Sequence, residues 1–385
     1  MVATPQVHND ANPLWQGPCG KGPLGGITQS MLARFFSCRD RFRLKYVHGL
    51  EPHDKWNHRI GYGNMWHACE EALAEGSEWE ANLVAHNNDM MLHYPMQAGE
   101  IEKWCNVCQV QFPEYVKYWS EHPDVQNRTP LLQEQVFDVP YTLPSGRTVR
   151  LRGKWDSVDL ISDETTGRLG RHRDKVAGIY IQENKTKGDI DKLQVERQLK
   201  FDLQTMLYLI ALERFQEATD LIDSDDPLAD ELCGHPVLGV RYNVVRRPLS
   251  GGRGNIKPHA AKSTKTKFTP AESAEDYYER LRREYIAAEP EYWFFRIRAE
   301  ISQHDVRVFR DTCLDPLLET LCWWYDEVTG AERLSSLFCP PMNYRSPFGM
   351  YSALEEGGAT EYDAYLETGN EAGLRRVESL FPELQ

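Results

Sequence analysis

The 385-residue sequence has no long apolar run, few cysteines and no excess of basic charge. No stretch approaches the roughly 18 consecutive apolar residues of a membrane span, and the N-terminus lacks a basic segment followed by an apolar one. We therefore predict neither a membrane protein nor a secretory signal. Nine scattered cysteines are too sparse for a disulfide framework, which favours a reducing compartment and hence a cytoplasmic location.

One pair of cysteines has a spacing typical of metal sites, the CNVC at residues 105–108. No second CxxC or HxxxH pair stands near it, and the surrounding segment has the apolar periodicity of a helix. The pattern predicts packing residues and no zinc site.

Basic residues are concentrated in one segment, although the chain carries a net charge of −14. That charge argues against a general polyanion binder, because phosphate contacts need local positive potential. Residues 241–268, however, contain eight Lys or Arg and no acidic residue. This segment is either a solvated loop or a clamp on a nucleic-acid backbone, with contacts from Arg246, Arg247, Arg253 and Lys257. The cationic face of the predicted N-terminal helix, which includes Arg39 and Arg41, is likewise either solvated or phosphate-binding.

The apolar periodicity predicts an α/β (α+β) fold in which a small mixed sheet lies inside a helical frame. A hairpin is predicted at residues 131–161, about the turn signal LPSG. Further strands are predicted at residues 176–186, 236–246 and 292–298. Helices are predicted at residues 28–47, 60–76, 98–120, 189–215, 270–287 and 301–327.

These elements predict one domain over residues 27–345. Its predicted parts are a helical part at 27–125, a sheet core at 130–250, a basic loop at 246–268 and C-terminal helices at 270–330. Residues 1–26, rich in Pro, Gly and Asn, are predicted to form an irregular, poorly ordered arm. Residues 346–385 are predicted to form an acidic tail.

Ionisable side chains stand at the ends of two predicted strands. Asp156 lies in GKWDSVDL, and Glu183 and Lys185 lie in IYIQENKTK. Residues i and i+2 of a strand point to the same face, so Glu183 and Lys185 project together. Converging carboxylates are hard oxygen ligands suited to Mg²⁺ or Mn²⁺, and such an ion polarises a phosphodiester and lowers the pKa of a bound water. The alternative is a buried ion pair of Glu183 with Lys185.

Two predicted helices add polar candidates. His67 lies one helical turn before Glu70 in GNMWHACEE, and it is either a metal ligand or a hydrogen-bonded core residue. Gln204 and Tyr208 form an i, i+4 pair on the helix that follows the strand of IQENK. From there, both side chains can reach back towards the strand ends.

The order of these motifs resembles that of the PD-(D/E)xK nuclease superfamily, and within it the RecB-like branch of recombination and CRISPR-adaptation exonucleases. The order is GNMWHACEE, GKWDSVDL, IQENK and QTMLY, and the preceding TQSMLARFFSCRDRF is similar to that branch's S-x-L-x-x-F-x-x-C-P-x-x-F opening. The resemblance implies a restriction-endonuclease-like core. It also implies a cytoplasmic setting in a bacterium or a phage-infected host cell.

The resemblance further implies roles for individual residues. The implied ligands of Mg²⁺ or Mn²⁺ are His67, Asp156, Glu183 and the main-chain carbonyl of Asn184. Lys185 is the implied catalytic lysine. Gln204 and Tyr208 match the QxxxY motif, which is expected to position that lysine or to contact the DNA strand. Glu134, on the preceding strand, is a further candidate beside these residues.

Some members of this branch hold a 4Fe–4S cluster through one early and three C-terminal cysteines. Cys38 fits the first position, but the corresponding C-terminal stretch offers only Cys339, and Arg39 stands where proline is usual. We therefore predict that the chain holds no iron–sulfur cluster.

These inferences predict a metal-dependent deoxyribonuclease, an exonuclease that processes DNA ends in recombination or repair by attack of a metal-activated water. Phage-type relatives usually act beside a single-strand annealing protein, which is the implied partner besides DNA. Two alternatives stand beside this hypothesis. One is a catalytically silent DNA-binding scaffold subunit of a recombination or helicase–nuclease complex, and the other is a nuclease acting on RNA or, as a structure-specific endonuclease, on branched DNA.

Overall fold

The computed structural model describes residues 12–52, 56–122, 127–161, 178–188, 190–200, 202–217, 229–249, 252–263, 268–330 and 374–384. The helices in these ranges are α1 (Gln29–Ser37), α2 (Arg39–Phe42), α3 (His58–Ala74), α4 (Trp79–His93), α5 (Ala98–Glu121), α6 (Lys192–Leu199), α7 (Leu203–Glu217), α8 (Ala229–Gly234), α9 (Ala274–Arg280), α10 (Pro290–Trp293), α11 (Gln303–Phe309) and α12 (Asp315–Gly330). The strands are β1 (Leu50–Pro52), β2 (Arg128–Thr142), β3 (Thr148–Ile161), β4 (Gly178–Lys187), β5 (Val237–Arg246), β6 (Lys262–Ser263), β7 (Phe268–Thr269), β8 (Phe294–Glu300) and β9 (Leu374–Arg376).

A five-stranded sheet of order β2-β3-β4-β5-β8 forms the centre of the fold. The β4–β5 pair is parallel, and the other three neighbouring pairs are antiparallel. A parallel pair needs a crossover, and α6, α7 and α8 lie within it. The predicted α/β fold with a small mixed central sheet is confirmed.

The β2–β3 hairpin forms at the predicted turn signal. The main-chain N–H of Leu143 donates to the carbonyl oxygen of Arg147 at 2.8 Å, and Gly146 adopts a φ of 83°, which a residue with a Cβ rarely tolerates. Along β3 the side chains alternate, with Val149, Leu151 and Trp155 fully buried. The period-two pattern thus fixes which side chains of the hairpin reach the core.

The predicted helix at residues 189–215 is in fact two helices, and this part of the prediction is wrong. α6 ends at Leu199 and α7 begins at Leu203. Asp202 caps α7, because its Oδ2 accepts a hydrogen bond from the main-chain N–H of Thr205 at 3.0 Å. An aspartate that caps a new helix competes with continuation of the previous one, and apolar periodicity alone does not reveal this.

Helices α3, α4 and α5 form a layer with its own apolar core on one face of the sheet. Rings pack edge to face within it, for example Trp66 with Phe112 and with Tyr115, both at 5.1 Å. Cys105 and Cys108, the cysteines of CNVC, are buried here as packing side chains, and Cys108 Sγ lies 4.0 Å from Cys69 Sγ. α4 is a helix that the sequence patterns did not predict.

Part of each chain end packs on the core, which differs from the predicted arm and tail. Residues 12–26 are irregular as predicted, but Trp15 is fully buried and its Nε1 donates to the carbonyl oxygen of Gly26 at 2.8 Å. At the other end, β9 pairs with β1, and Leu380 and Phe381 are buried. The physical reason is apolar burial by a few large side chains within polar segments. Residues 1–11 and 346–373 lie outside the described residues.

No helix in the described part of the chain is long and apolar enough to cross a membrane.

A glycine in β3 allows close packing between the hairpin and α7. A Cβ at Gly153 would lie 2.5 Å from Phe137 Cζ and 3.2 Å from Tyr208 Cε1. We expect Gly153→Ala to lower the free energy of unfolding by about 1–3 kcal/mol, because overpacking forces the rings out of place. Urea denaturation measures this. Gly99→Ala in α5 is the control, since no atom lies within 4 Å of its added Cβ and alanine favours a helix. Equal stability of both variants would contradict the packing argument.

Candidate active site

Asp156, in the middle of β3, lies beside Glu183 and Lys185, which are near the end of β4. The prediction that Asp156 ends a strand is wrong, because β3 is longer than its pairing with β4, which stops at Ser157. The main-chain N–H of Asn184 donates to Asp156 Oδ2 at 2.7 Å, which fixes the carboxylate of β3 against β4. Lys185 Nζ donates to Glu183 Oε2 at 3.0 Å, as expected for neighbours on one face of a strand. The structure therefore contains the Glu183–Lys185 ion pair, and it adds a second carboxylate from the adjacent strand.

Helix α7 adds Gln204 to this pair. Gln204 Nε2 donates to Glu183 Oε2 at 2.7 Å, and Lys185 Nζ donates to Gln204 Oε1 at 3.1 Å. The three side chains form a closed triangle of hydrogen bonds that holds Lys185 in one position. Tyr208, the second residue of the QxxxY motif, is buried, and its ring packs edge-on against Phe137 at 5.4 Å.

Burial dominates the electrostatics of the Glu183–Lys185 pair. Glu183 is 1% exposed. Burial raises the pKa of Glu183 to about 8; the Asp156 charge adds to this effect and Lys185 opposes it. For Lys185, burial disfavours the ammonium form, but the carboxylates of Glu183 and Asp156 outweigh it and raise the pKa. Lys185 is consequently a cation at neutral pH.

His67 stands on α3 at the open side of the site. Its Nδ1 lies 4.0 Å from Asp156 Oδ2, and its side chain is 40% exposed. Burial lowers the pKa of His67, with the Asp156 charge acting in the opposite direction. The imidazole is therefore neutral at pH 7, which is the form that binds metals.

A series of hydrogen-bonded, buried polar groups supports the site from behind, and no pattern in the sequence predicted it. Tyr115 OH donates to Glu70 Oε1 at 2.7 Å. Asn243 Nδ2 donates to Tyr115 OH and, at 2.9 Å, to Asn184 Oδ1. Burial raises the pKa of Glu70 to about 8, while the Tyr115 hydrogen bond opposes this effect. This series of hydrogen bonds links Asn184, beside Glu183, to α3, α5 and β5.

Glu134 on β2 lies beside the site in a strained backbone conformation. Its φ of 49° is unusual for a residue with a side chain, and its carboxylate pairs with Lys154 at 2.9 Å. Lys154 also pairs with Glu71 on α3. Burial raises the pKa of Glu134 to about 7, with Lys154 opposing the effect. Such strain is frequent near functional sites.

The residues implied as metal ligands surround the strand ends, and their chemistry fits a hard divalent cation. Within the described residues, no group of three or more His, Cys, Asp or Glu side chains is already drawn together as a metal site. Glu183 Oε1, however, is buried without a hydrogen-bond partner in that part of the chain. An orphaned carboxylate oxygen is costly unless a cation or a proton joins it. Together with Asp156 and His67 it forms a donor set suited to Mg²⁺ or Mn²⁺.

The residues predicted to contact DNA differ in their burial and in their partners. Arg39 Cζ lies 5.0 Å from the Phe35 ring centroid, and the side chain of Arg41 is outside the described residues. Arg246 stacks on Tyr292, with its Cζ 4.4 Å from the ring centroid. Of the other candidates, Arg247 is buried, whereas Arg253 and Lys257 are exposed. Arg253 pairs with Glu289. Their roles in binding DNA stay predictions. Cys38 is buried, and Cys339 lies outside the described residues.

A mixed sheet that carries an aspartate and an ExK element on neighbouring strands, with a helix returning to them, defines a restriction-endonuclease-like nuclease fold. A family model described as the PD-(D/E)XK nuclease superfamily matches residues 27–293. The chain therefore belongs to the PD-(D/E)XK nuclease superfamily, which confirms the resemblance at that level. Membership implies a nuclease that acts on DNA and uses divalent metal ions. A comparison with curated proteins returned no match.

Proposed function

We propose that the protein is an Mg²⁺- or Mn²⁺-dependent exonuclease that processes DNA ends in recombination or repair. One observation carries the proposal. The Glu183–Lys185 pair is locked by Gln204 and lies beside Asp156 on the adjacent strand, where the β3–β4 pairing stops. A structural ion pair needs neither the second carboxylate nor the third side chain. The RecB-like assignment and an annealing-protein partner are part of the same proposal and rest on the motif resemblance.

The proposed roles follow from position and charge. Asp156, Glu183, His67 and the main-chain carbonyl of Asn184 would hold the metal ion, which when bound supplies an activated water and stabilises charge on the leaving oxygen. Lys185, protonated as described above, is placed to offset negative charge on the pentavalent phosphate. Gln204 keeps the Lys185 ammonium at a fixed position, so little reorganisation is needed during the reaction.

Digestion of end-labelled linear and covalently closed circular DNA tests this function. Single- and double-stranded forms are incubated with Mg²⁺, Mn²⁺ or EDTA, beside an RNA strand of the same sequence. We expect metal-dependent shortening of linear DNA and no cutting of closed circles. Cutting of closed circles would favour the hypothesis of a structure-specific endonuclease. Degradation of RNA but not of DNA would favour the hypothesis of an RNA nuclease. Inactivity on every substrate with both metals would favour the scaffold.

Gln204 offers a test of the positioning argument. Replacing Gln204 with Leu removes both hydrogen bonds to the Glu183–Lys185 pair, so Lys185 loses its fixed position. We expect the single-turnover cleavage rate to fall about 10- to 100-fold with DNA binding retained. Thr205→Val, the next residue on α7, is the control, because its hydroxyl contacts Tyr242 and not the pair. An unchanged rate for Gln204→Leu would remove Gln204 from the proposed machinery.

A further inference from the structure

Two basic side chains follow the catalytic ends of the parallel strands. Lys187 ends β4, two residues beyond Lys185, and both project from the same face of the strand. Arg247 follows β5, and its main-chain N–H donates to the carbonyl oxygen of Lys187 at 2.6 Å. This main-chain bond places the two residues side by side at the end of β4 and β5 that carries the proposed catalytic centre.

The side chain of Arg247 is buried, and the described residues place no counterion beside it. The residue is 7% exposed, and its Nε has no hydrogen-bond partner in the described part of the chain. No ion pair with a carboxylate forms there either. Arg241, within β5, differs: it is 1% exposed, but its Nη2 donates to Asp159 Oδ2 at 2.8 Å. A buried cation without an anion is costly, so Arg247 is not explained by packing.

The first turns of α3 lie close to Arg247. Tyr62 OH donates to Gln111 Oε1 at 2.5 Å, and Gln111 Nε2 donates to the carbonyl oxygen of Arg246 at 2.9 Å. These bonds hold α3 and α5 against the end of β5. Arg59 stands in the first turn of α3, where the helix N-terminus adds positive potential. Burial has the largest lowering effect on the pKa of Arg247, and the positive charge of Arg59 has the second largest.

We propose that Arg247, Arg59 and Lys187 form a pocket that binds one phosphate group of a nucleic-acid strand, next to the scissile phosphate. Among the described residues, none of the three cations forms an ion pair with a carboxylate, and their positive charge matches the charge of a phosphate. The largely buried guanidinium of Arg247 offers donors in a geometry suited to the phosphate oxygens. Only the identity of the ligand rests on the proposed function, because the phosphate is taken to belong to the nucleic-acid substrate. The chemistry it recognises is the phosphate group itself, which inorganic phosphate shares.

Thermal unfolding with inorganic phosphate tests the pocket in the absence of cleavage. The full-length protein is heated in EDTA with increasing phosphate, against sodium chloride at equal ionic strength. We expect a saturable rise in melting temperature for the wild type and none for Arg247→Gln. Arg283→Gln is the control, because Arg283 is 69% exposed and pairs with Glu284. Equal phosphate responses of wild type and Arg247→Gln would overturn the proposal, as would a wild type that shows no response.

DNA binding supplies the second arm and identifies the source of the phosphate. Fluorescence anisotropy in EDTA measures the affinity of a short labelled oligonucleotide over a range of salt concentrations. We expect Arg247→Gln and Arg59→Gln each to raise Kd about tenfold and to reduce the salt slope by about 0.7–0.9, the value for one phosphate contact. Loss of the phosphate response with unchanged DNA binding would overturn the nucleic-acid assignment.

Two further features of the experiment distinguish loss of the phosphate pocket from misfolding and from failure of the nuclease proposal. Without its uncompensated charge, Arg247→Gln should melt no lower than the wild type; if it fails to fold, the exposed Arg59→Gln variant carries the test. A wild type that digests DNA while Arg247→Gln binds phosphate normally refutes the pocket and leaves the nuclease intact. Phosphate binding that depends on Arg247 in a protein with no cleavage supports the pocket and refutes the nuclease.

Discussion

Asp156→Ala and Lys185→Ala should each lower metal-dependent DNA cleavage at least about a thousandfold. Asp156→Ala removes a carboxylate of the proposed metal site, and Lys185→Ala removes the cation that faces the phosphate. The measurement is the single-turnover rate on labelled linear DNA with Mg²⁺ or Mn²⁺ at saturating enzyme. Saturation matters because it separates loss of chemistry from loss of binding.

The fold should survive both substitutions. Without Lys185, the buried Glu183 can take up a proton, and its burial already raises its pKa to about 8. Lys103→Ala is the matched lysine control, since that side chain lies on the surface of α5 beside Glu100. Circular dichroism and the melting temperature check folding. Wild-type cleavage by either site variant would refute the assignment of the site.

Asp159→Ala should lower the free energy of unfolding by about 3–5 kcal/mol, the largest stability effect that we expect. Asp159 is fully buried in β3 and accepts hydrogen bonds from Arg128 Nε at 2.7 Å and Arg241 Nη2 at 2.8 Å. Ser157 Oγ donates to its other oxygen at 2.6 Å. Removing the carboxylate leaves two arginines without their shared anion, and one of them is fully buried.

The matched control lies in the same hairpin. Asp138 on β2 also pairs with arginine, through Arg150, but its side chain is 34% exposed. Solvent screens that pair, so Asp138→Ala should cost no more than about 1 kcal/mol. The midpoints of urea denaturation measure both effects. If the two variants unfold at the same urea concentration, burial does not set the strength of these pairs.

The sheet and the strand residues of the candidate site could be predicted because their sequence signals are local. Period-two alternation identified the β2–β3 hairpin, and an apolar, β-branched run identified β4. The period of a strand then placed Glu183 and Lys185 on one face. The closeness of Asp156 followed once the two strands were taken as neighbours, and the hydrogen bond from the N–H of Asn184 agrees with that pairing. Gln204 could be named because it forms an i, i+4 pair with Tyr208 that matches the QxxxY motif.

The missed elements have weak or distant signals. α4 buries only Leu83, Asn87 and Met90, so it has too few apolar positions to give a clear helical period. Strand β9 has three residues, and its partner β1 lies at the other end of the chain. Pairing over such a separation leaves no pattern in either segment.

The missed part of the site is non-local in the same way. The hydrogen-bonded chain from Glu70 through Tyr115 and Asn243 to Asn184 takes one residue from each of four elements. The uncompensated charge of Arg247 became visible only with burial and partners known. In the sequence, it is one of eight cations in a basic segment.

The parallel β4–β5 pair also decides when the proposed catalytic centre becomes complete during folding. Asp156, Glu183 and Lys185 belong to antiparallel neighbours, whose pairing needs only a reversal of the chain. Gln204 and Arg247 take their places only when the crossover has returned to the sheet, after a larger loss of chain entropy. A nascent chain folded only through β4 therefore holds the carboxylates but not the group that fixes the lysine. The proposed cleavage should therefore stay slow until Gln204 has reached the Glu183–Lys185 pair.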